Sequence, residues 1–260
     1  MANLPAVPDA DNFGLEDFDI KTDMVMPKLQ IDHTDGVLVD TLSGEKFEKI
    51  SVVLLGLVKQ RILWPPEVTE QKENPLCRSL NFHEGQPDPE NPQRFPWSAS
   101  GLDQPTSPMN VACSECKLKD WGSNPKNDSP WCTEQWTFPL AMMVNDLTWG
   151  PATLTLQRSN LKPARSYLSS YARAKEPLFT AVTEVKMNPM KRGSVKYVTL
   201  SFSKGAPTDI QLHPEFRNEF LRIRDWLQAP RSSEERAAVE EDKAVANPRS
   251  AAAVDIDEEF

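Results

Sequence analysis

Four cysteines and three histidines are the residues best suited to chemistry in this 260-residue chain. Cys113 and Cys116 stand two residues apart in "ACSECKLKDW", and Cys132 follows after fifteen intervening residues. Two thiolates from one tight turn can grip the same tetrahedral ion, and a loop of that length returns a third ligand to it. Cys77 offers a fourth sulfur, 36 positions before Cys113, and His83 is the alternative for that place. The set Cys77, Cys113, Cys116 and Cys132 is expected to hold a structural Zn2+. The metal would then fold a Gly-, Asn- and Pro-rich unit that has little core of its own. Four unrelated buried thiols are the plainer alternative.

Catalytic zinc is not expected. Zinc deaminases carry H-x-E followed by P-C-x-x-C. Here Glu84 directly follows His83, and Ala112 rather than proline precedes Cys113. Four thiolates also leave no open position for water. No G-x-x-x-x-G-K-[ST] or G-x-S-x-G motif occurs, and His33, His83 and His213 lie far apart. The chain is therefore read as a non-enzyme.

Charge points to a polyanion. The net charge is -9, yet residues 151–230 hold 13 basic and 6 acidic side chains, net +7. A focused basic patch attracts polyanions whatever the total, because a Debye length of about 8 Å hides distant charge. Unpaired nucleic acid needs cations along its phosphates and flat rings for its bases. That block interleaves both: Lys162, Arg165, Tyr167, Tyr171, Arg173, Lys175, Lys186, Lys191, Arg192, Lys196 and Tyr197. Tyr197 lies opposite the apolar face of its strand and is the best stacking candidate. Tyr167 and Tyr171 either stack on bases or pad a helix. Trp64 beside Arg61 is a further candidate, whereas Trp121, Trp131 and Trp136 are expected to pack around the cysteine loop.

The elements that position these residues follow from periodicity. Residues 1–24 are acidic and read as flexible, and residues 231–260 read as a disordered acidic tail. Between them, 25–230 is expected to form one core with a zinc-binding insertion at 65–135. "SVVLLGLVKQRILW" reads as a central strand pair. "EQWTFPLAMMV", "PATLTLQ", "LFTAVTEVKM" and "SVKYVTLSFS" read as further strands. One helix starts at Ser159 or Asn160, with Leu161, Ala164, Leu168 and Ala172 as its apolar stripe. Another starts at Pro214, with Phe216, Phe220, Ile223 and Leu227 inward. Residues 65–112 are rich in Pro, Glu and Asn and predict little regular structure. The fold class expected is mainly β with two or three helices (α+β), an OB-like small barrel with insertions.

The chain ends in "VDIDEEF". It is either a solvated tail or a docking peptide in which Asp255, Asp257, Glu258 and Glu259 steer and Phe260 grips. The cysteine unit inserted near a strand-rich core, the basic-aromatic block and this ending together resemble the phage-type single-stranded DNA-binding proteins. The resemblance implies coating of single-stranded DNA without strong sequence preference in replication, recombination or repair. It also implies recruitment of replication or recombination proteins through the tail. A zinc-stabilised transcription regulator reading duplex DNA is the alternative, and an adaptor with no nucleic-acid role is the third reading. With no secretory signal and no apolar run of membrane length, a cytoplasmic location is expected, in the host cell if the chain is phage-encoded.

Overall fold

The structure is a computed structural model that describes residues 25–66, 75–103, 110–126, 129–144, 148–192 and 195–228. Twelve strands of these residues form one mixed sheet, accompanied by three helices. Strands β1 (Lys28–Asp32), β2 (Val37–Asp40) and β3 (Lys46–Phe47) form an N-terminal meander. Next come β4 (Lys49–Leu54) and β5 (Val58–Leu63), collinear pieces of the expected strand pair. Strands β6 (Cys77–Ser79), β7 (Glu84–Pro87) and β8 (Val111–Ala112) follow, with helix α1 (Trp97–Ser100) between the last two. The long strands β9 (Cys132–Val144) and β10 (Thr148–Gln157) lead into helix α2 (Leu161–Ala174). A hairpin of β11 (Ala181–Arg192) and β12 (Val195–Pro207) and helix α3 (His213–Gln228) complete the chain.

Strand β9 is the spine. One edge pairs with β10 along ten residues; the other pairs with β5 at Cys132–Thr137 and with β4 at Leu140–Met142. β11 adds to the free side of β4, and β12 adds to β11. β1 joins β10 as a parallel neighbour. Trp136, Phe138, Leu140 and Met142 alternate along β9 into the main core, where they meet Val52, Leu54, Leu154, Leu156, Val185 and Leu200. Ala141 faces the opposite side and meets Phe216 and Ile223 of α3. With both faces covered, β9 reads as a nearly continuous apolar run rather than an alternating one.

The expected closed barrel does not form: the outer edge of β12 carries no backbone ladder. Two side chains stitch that edge instead. Asn160 is buried; its amide donates to the Val198 carbonyl (3.3 Å) and its oxygen accepts the Leu200 N–H (2.7 Å). His33 Nδ1 accepts the Val198 N–H at 3.1 Å. Sealing an edge prevents stray strand pairing, and side chains can do it where a strand does not. Asn160 therefore does not cap α2 through its side chain, as its position before Leu161 predicts. The buried stripe of α2 is Leu161, Ala164, Tyr167 and Tyr171, while Ala172 is exposed. The segment predicted to lack regular structure contributes β6 and β7, because pairing to β5 imposes strand geometry that local propensity does not. No described helix is long and apolar enough to cross a membrane.

Asn160→Ala leaves a buried carbonyl and N–H without partners, at about 1–3 kcal/mol for each unsatisfied group. Urea unfolding of this variant is expected to show a lower midpoint, corresponding to a total loss of about 2–6 kcal/mol.

Candidate functional site

The four cysteines line one cavity between β5, β6, β9 and the 113–119 turn. Registration explains two of them. Leu63 of β5 stands opposite Cys77 on one side and Cys132 on the other. Residues in register across a sheet share a face, so both sulfurs flank Leu63 about 10 Å apart at the backbone. The other two come from a tight turn. The N–H groups of Glu115 and Cys116 both donate to the Ala112 carbonyl at 3.2 Å. The Leu118 N–H donates to the Cys116 sulfur. Lys119 ties the turn down by donating to the Ser114 and Cys116 carbonyls.

Gly85 brings the two halves together. A Cβ there would lie 2.8 Å from Cys77 Sγ and 3.4 Å from Cys113 Sγ, so only glycine lets β7 lie this close to the sulfurs. His83 is exposed and does not line the cavity; its carbonyl accepts the Cys113 N–H at 2.8 Å. The fourth sulfur is thus Cys77. Leu63, Leu76, Phe95, Val111 and Leu118 pack around the sulfurs, so the insertion has a small core after all. All four residues are free thiols, and among the described residues no group of three or more His, Cys, Asp or Glu side chains stands close enough together to hold a metal ion. Burial pushes the Cys77 and Cys116 thiols up, and Cys132 up to about 12 against an opposing Arg61 guanidinium. An apolar cavity disfavours bare thiolates, and the Arg61 guanidinium opposes that effect at Cys132. The four sulfurs are soft donors that line one cavity, with backbone and guanidinium N–H groups beside them.

A chain of cations and rings runs from this cavity to α2. Arg61 donates to the Cys132 sulfur and pairs with Glu134 at 3.8 Å. Glu134 also accepts from Arg165 (3.0 Å) and from the Trp136 indole (2.7 Å). Lys59 and Arg165 lie over Trp136 at 4.5 and 5.2 Å, and Arg61 over Phe82 at 4.9 Å. Sequence reading missed Lys59, Glu134 and Phe82. The strand alternation of Lys59 with Arg61, and of Glu134 with Trp136, is the signal that puts the first two of them on this face.

The other predicted residues divide. Tyr167 and Tyr171 are core residues, a correction to their reading as stacking platforms. The Tyr167 hydroxyl meets Thr183 (2.8 Å) and Tyr171 (3.2 Å), its ring stacks on Phe202, and burial raises its pKa. Lys162, Arg173 and Lys175 are exposed on α2 or at its end. Lys186, Lys191 and Tyr197 belong to the β11–β12 hairpin, with Arg192 and Lys196 at its tip. Tyr197 faces away from buried Val198 and Leu200, whereas α2 packs its tyrosines on the Phe202 side of the hairpin. The helix stripe and the hairpin face are therefore separate surfaces, not one trough. Trp64 is half-buried and its carbonyl accepts the Trp131 indole N–H at 2.9 Å. Trp131 packs at the cysteine unit as expected, Trp136 joins the main core instead, and Trp121 is 79% exposed. Asp255, Asp257, Glu258, Glu259 and Phe260 lie outside the described residues, as do the proposed flexible segments 1–24 and 231–260.

Tyr167→Phe is expected to lower unfolding stability by about 1–3 kcal/mol through the hydroxyl left unpaired on Thr183. Exposed Arg173→Ala is expected to stay within about 0.5 kcal/mol, both read by chemical denaturation. Compared with protein-family models, curated proteins and solved structures, the chain matches none.

Proposed function

We propose that this chain binds single-stranded DNA along the outer face of the β11–β12 hairpin, and that the four cysteines hold a structural zinc ion. The observation that carries the first part is the composition of that face. Met190 (46% exposed) is paired across the strands with Tyr197 on this face, whereas Lys191, the next residue along β11, alternates to the opposite face. Lys186 follows the same alternation and pairs with Ser201, while Asn188 donates to the Ser201 hydroxyl at 3.1 Å. Lys49 of β4 is in register beside Lys186, paired to Glu184. Flat and soft apolar groups for bases, interleaved with cations for phosphates, are what a single strand requires. A duplex hides its base faces and offers Tyr197 nothing to stack on.

Connectivity supports the same reading. β4–β5, β9 and β10 form a meander, α2 follows, and the β11–β12 hairpin returns to pair with β4. We read this order as OB-like, with the cysteine unit inserted between the first and second strands of the meander and the last seam stitched by side chains. In OB folds that inter-strand loop and the last hairpin flank the oligonucleotide face.

Zinc would act as a staple. It would neutralise the thiolates that burial disfavours and join β6 and β9 to the 113–116 turn. The purified protein is expected to carry one zinc per chain and to release thiol protons on loading. Each single Cys→Ser change is expected to cost more than roughly 100-fold in zinc affinity, beyond what loss of an outer partner costs. Metal analysis finding no zinc, together with a melting temperature indifferent to chelator, would remove the staple.

For the DNA face, poly-dT should bind well ahead of duplex of equal length. Affinity should fall linearly on a log–log salt plot, with a slope of about -0.7 for each phosphate contacted. Lys186→Glu should weaken binding and flatten that slope by roughly one. Equal affinity for duplex, or an unchanged slope in this variant, would overturn the assignment.

A further inference from the structure

We infer that Trp121 is a base-stacking residue, a second contact point for a single strand carried on the cysteine unit. The inference rests on the single-strand reading above and extends it to a surface that reading does not use. Trp121 is the most exposed large apolar side chain among the described residues, at 79%. Tryptophan is buried on average in folded chains, so an indole held in solvent is the informative case.

The turn that presents it is rigid. Ser123 donates its hydroxyl to the Leu118 carbonyl at 2.8 Å and accepts the Trp131 N–H at 3.0 Å. The Ser123 N–H closes back on the Asp120 carbonyl, and Gly122 turns the chain at a φ of +82°. Apart from its chain neighbours, a Cβ on Gly122 would meet nothing within 4 Å, so the apex of the turn is open. Leu118, the anchor of this turn, is 1% exposed among the cysteines. The backbone that carries the indole is thus fixed to the unit that the sulfurs gather, so only the indole's own rotamers remain to be ordered when it stacks.

Its surroundings match a polyanion with flat groups. Lys117 and Lys126 are exposed on the same segment, and Lys119 is half-exposed, against the acids Glu115 and Asp120. An indole stacks on any base, because every base has a π-face, while nearby ammonium groups pair with phosphate. The unit is inserted between the first and second strands of the meander, the loop position from which OB domains reach an oligonucleotide. Stacking needs unpaired bases, so the occupant is a single strand and not a duplex.

The test uses the full-length, metal-loaded protein and poly-dT at fixed salt. Trp121→Ala is expected to weaken poly-dT binding roughly 5- to 100-fold, the span of one base stack. Its melting temperature and zinc content should be unchanged, since the ring contributes no packing. Trp121→Phe, which keeps a π-face, should recover most of the affinity. The fluorescence quenched by poly-dT should be smaller in Trp121→Phe than in the parent. If the parent protein binds poly-dT and Trp121→Ala binds it equally well, Trp121 is not a contact and the single-strand reading stands without it. If the parent does not prefer poly-dT over duplex, both fall together. If Trp121→Ala weakens duplex and single strand by the same factor, base stacking is wrong.

Discussion

Strand β9 is hydrogen-bonded along both edges and packed on both faces, and every other part of the molecule is placed relative to it. Its 13 residues serve two centres at once. Phe138, Leu140 and Met142 fill the main core, while Cys132 at the other end faces the sulfur cavity. A slip of one residue would turn Cys132 away from Cys77 and expose the aromatic and aliphatic side chains. The large apolar residues at the core end oppose such a slip, at about 1.5–3 kcal/mol for each side chain withdrawn from burial. Core packing therefore sets the geometry of the cysteine site from a distance.

Glu134 is the hub between the two centres. It lies one alternation from Cys132 and one from Trp136, and it gathers Arg61, Arg165 and the indole N–H. Exposed ion pairs contribute little. This one is only 21% exposed on the acid side and shares its charge among several donors, where the local dielectric is lower and the interactions reinforce one another. The same arrangement keeps Arg61 against the Cys132 sulfur. Arg165 thereby ties α2 to the insertion by charge, and two residues further on the Tyr167 hydroxyl holds the same helix to Thr183.

The elements legible in the sequence were those whose pattern was local. The β4–β5 pair, the β9–β10 and β11–β12 hairpins and the inner residues Phe216 and Ile223 of α3 follow from periodicity alone. The C-x-x-C turn was legible for the same reason. What was not legible depended on partners far away in the chain. Asn160 has the position of a helix cap, but the open edge of β12 competes for its amide. Tyr167 and Tyr171 look like surface rings beside cations until the hairpin arrives to cover them. Trp136 looks like part of the cysteine loop, yet strand alternation turns it toward the main core. That Cys77 and Cys132 flank Leu63 depends on the register of β5 with β6 and β9, which no spacing encodes.

The parallel pairing of β1 with β10 has a consequence for how the molecule is made. Lys28 and Leu29 sit beside Thr153 and Leu154, partners encoded roughly 125 residues later. At ordinary synthesis rates of about 5–20 residues per second, the first strand spends several seconds outside the ribosome before its neighbour exists. Closing so long a loop is slow and entropically costly, so it can be repaid only after the intervening strands have assembled. The opening meander must therefore stay soluble by itself during translation. Its polar turns and the acidic segment ahead of it suit that interval.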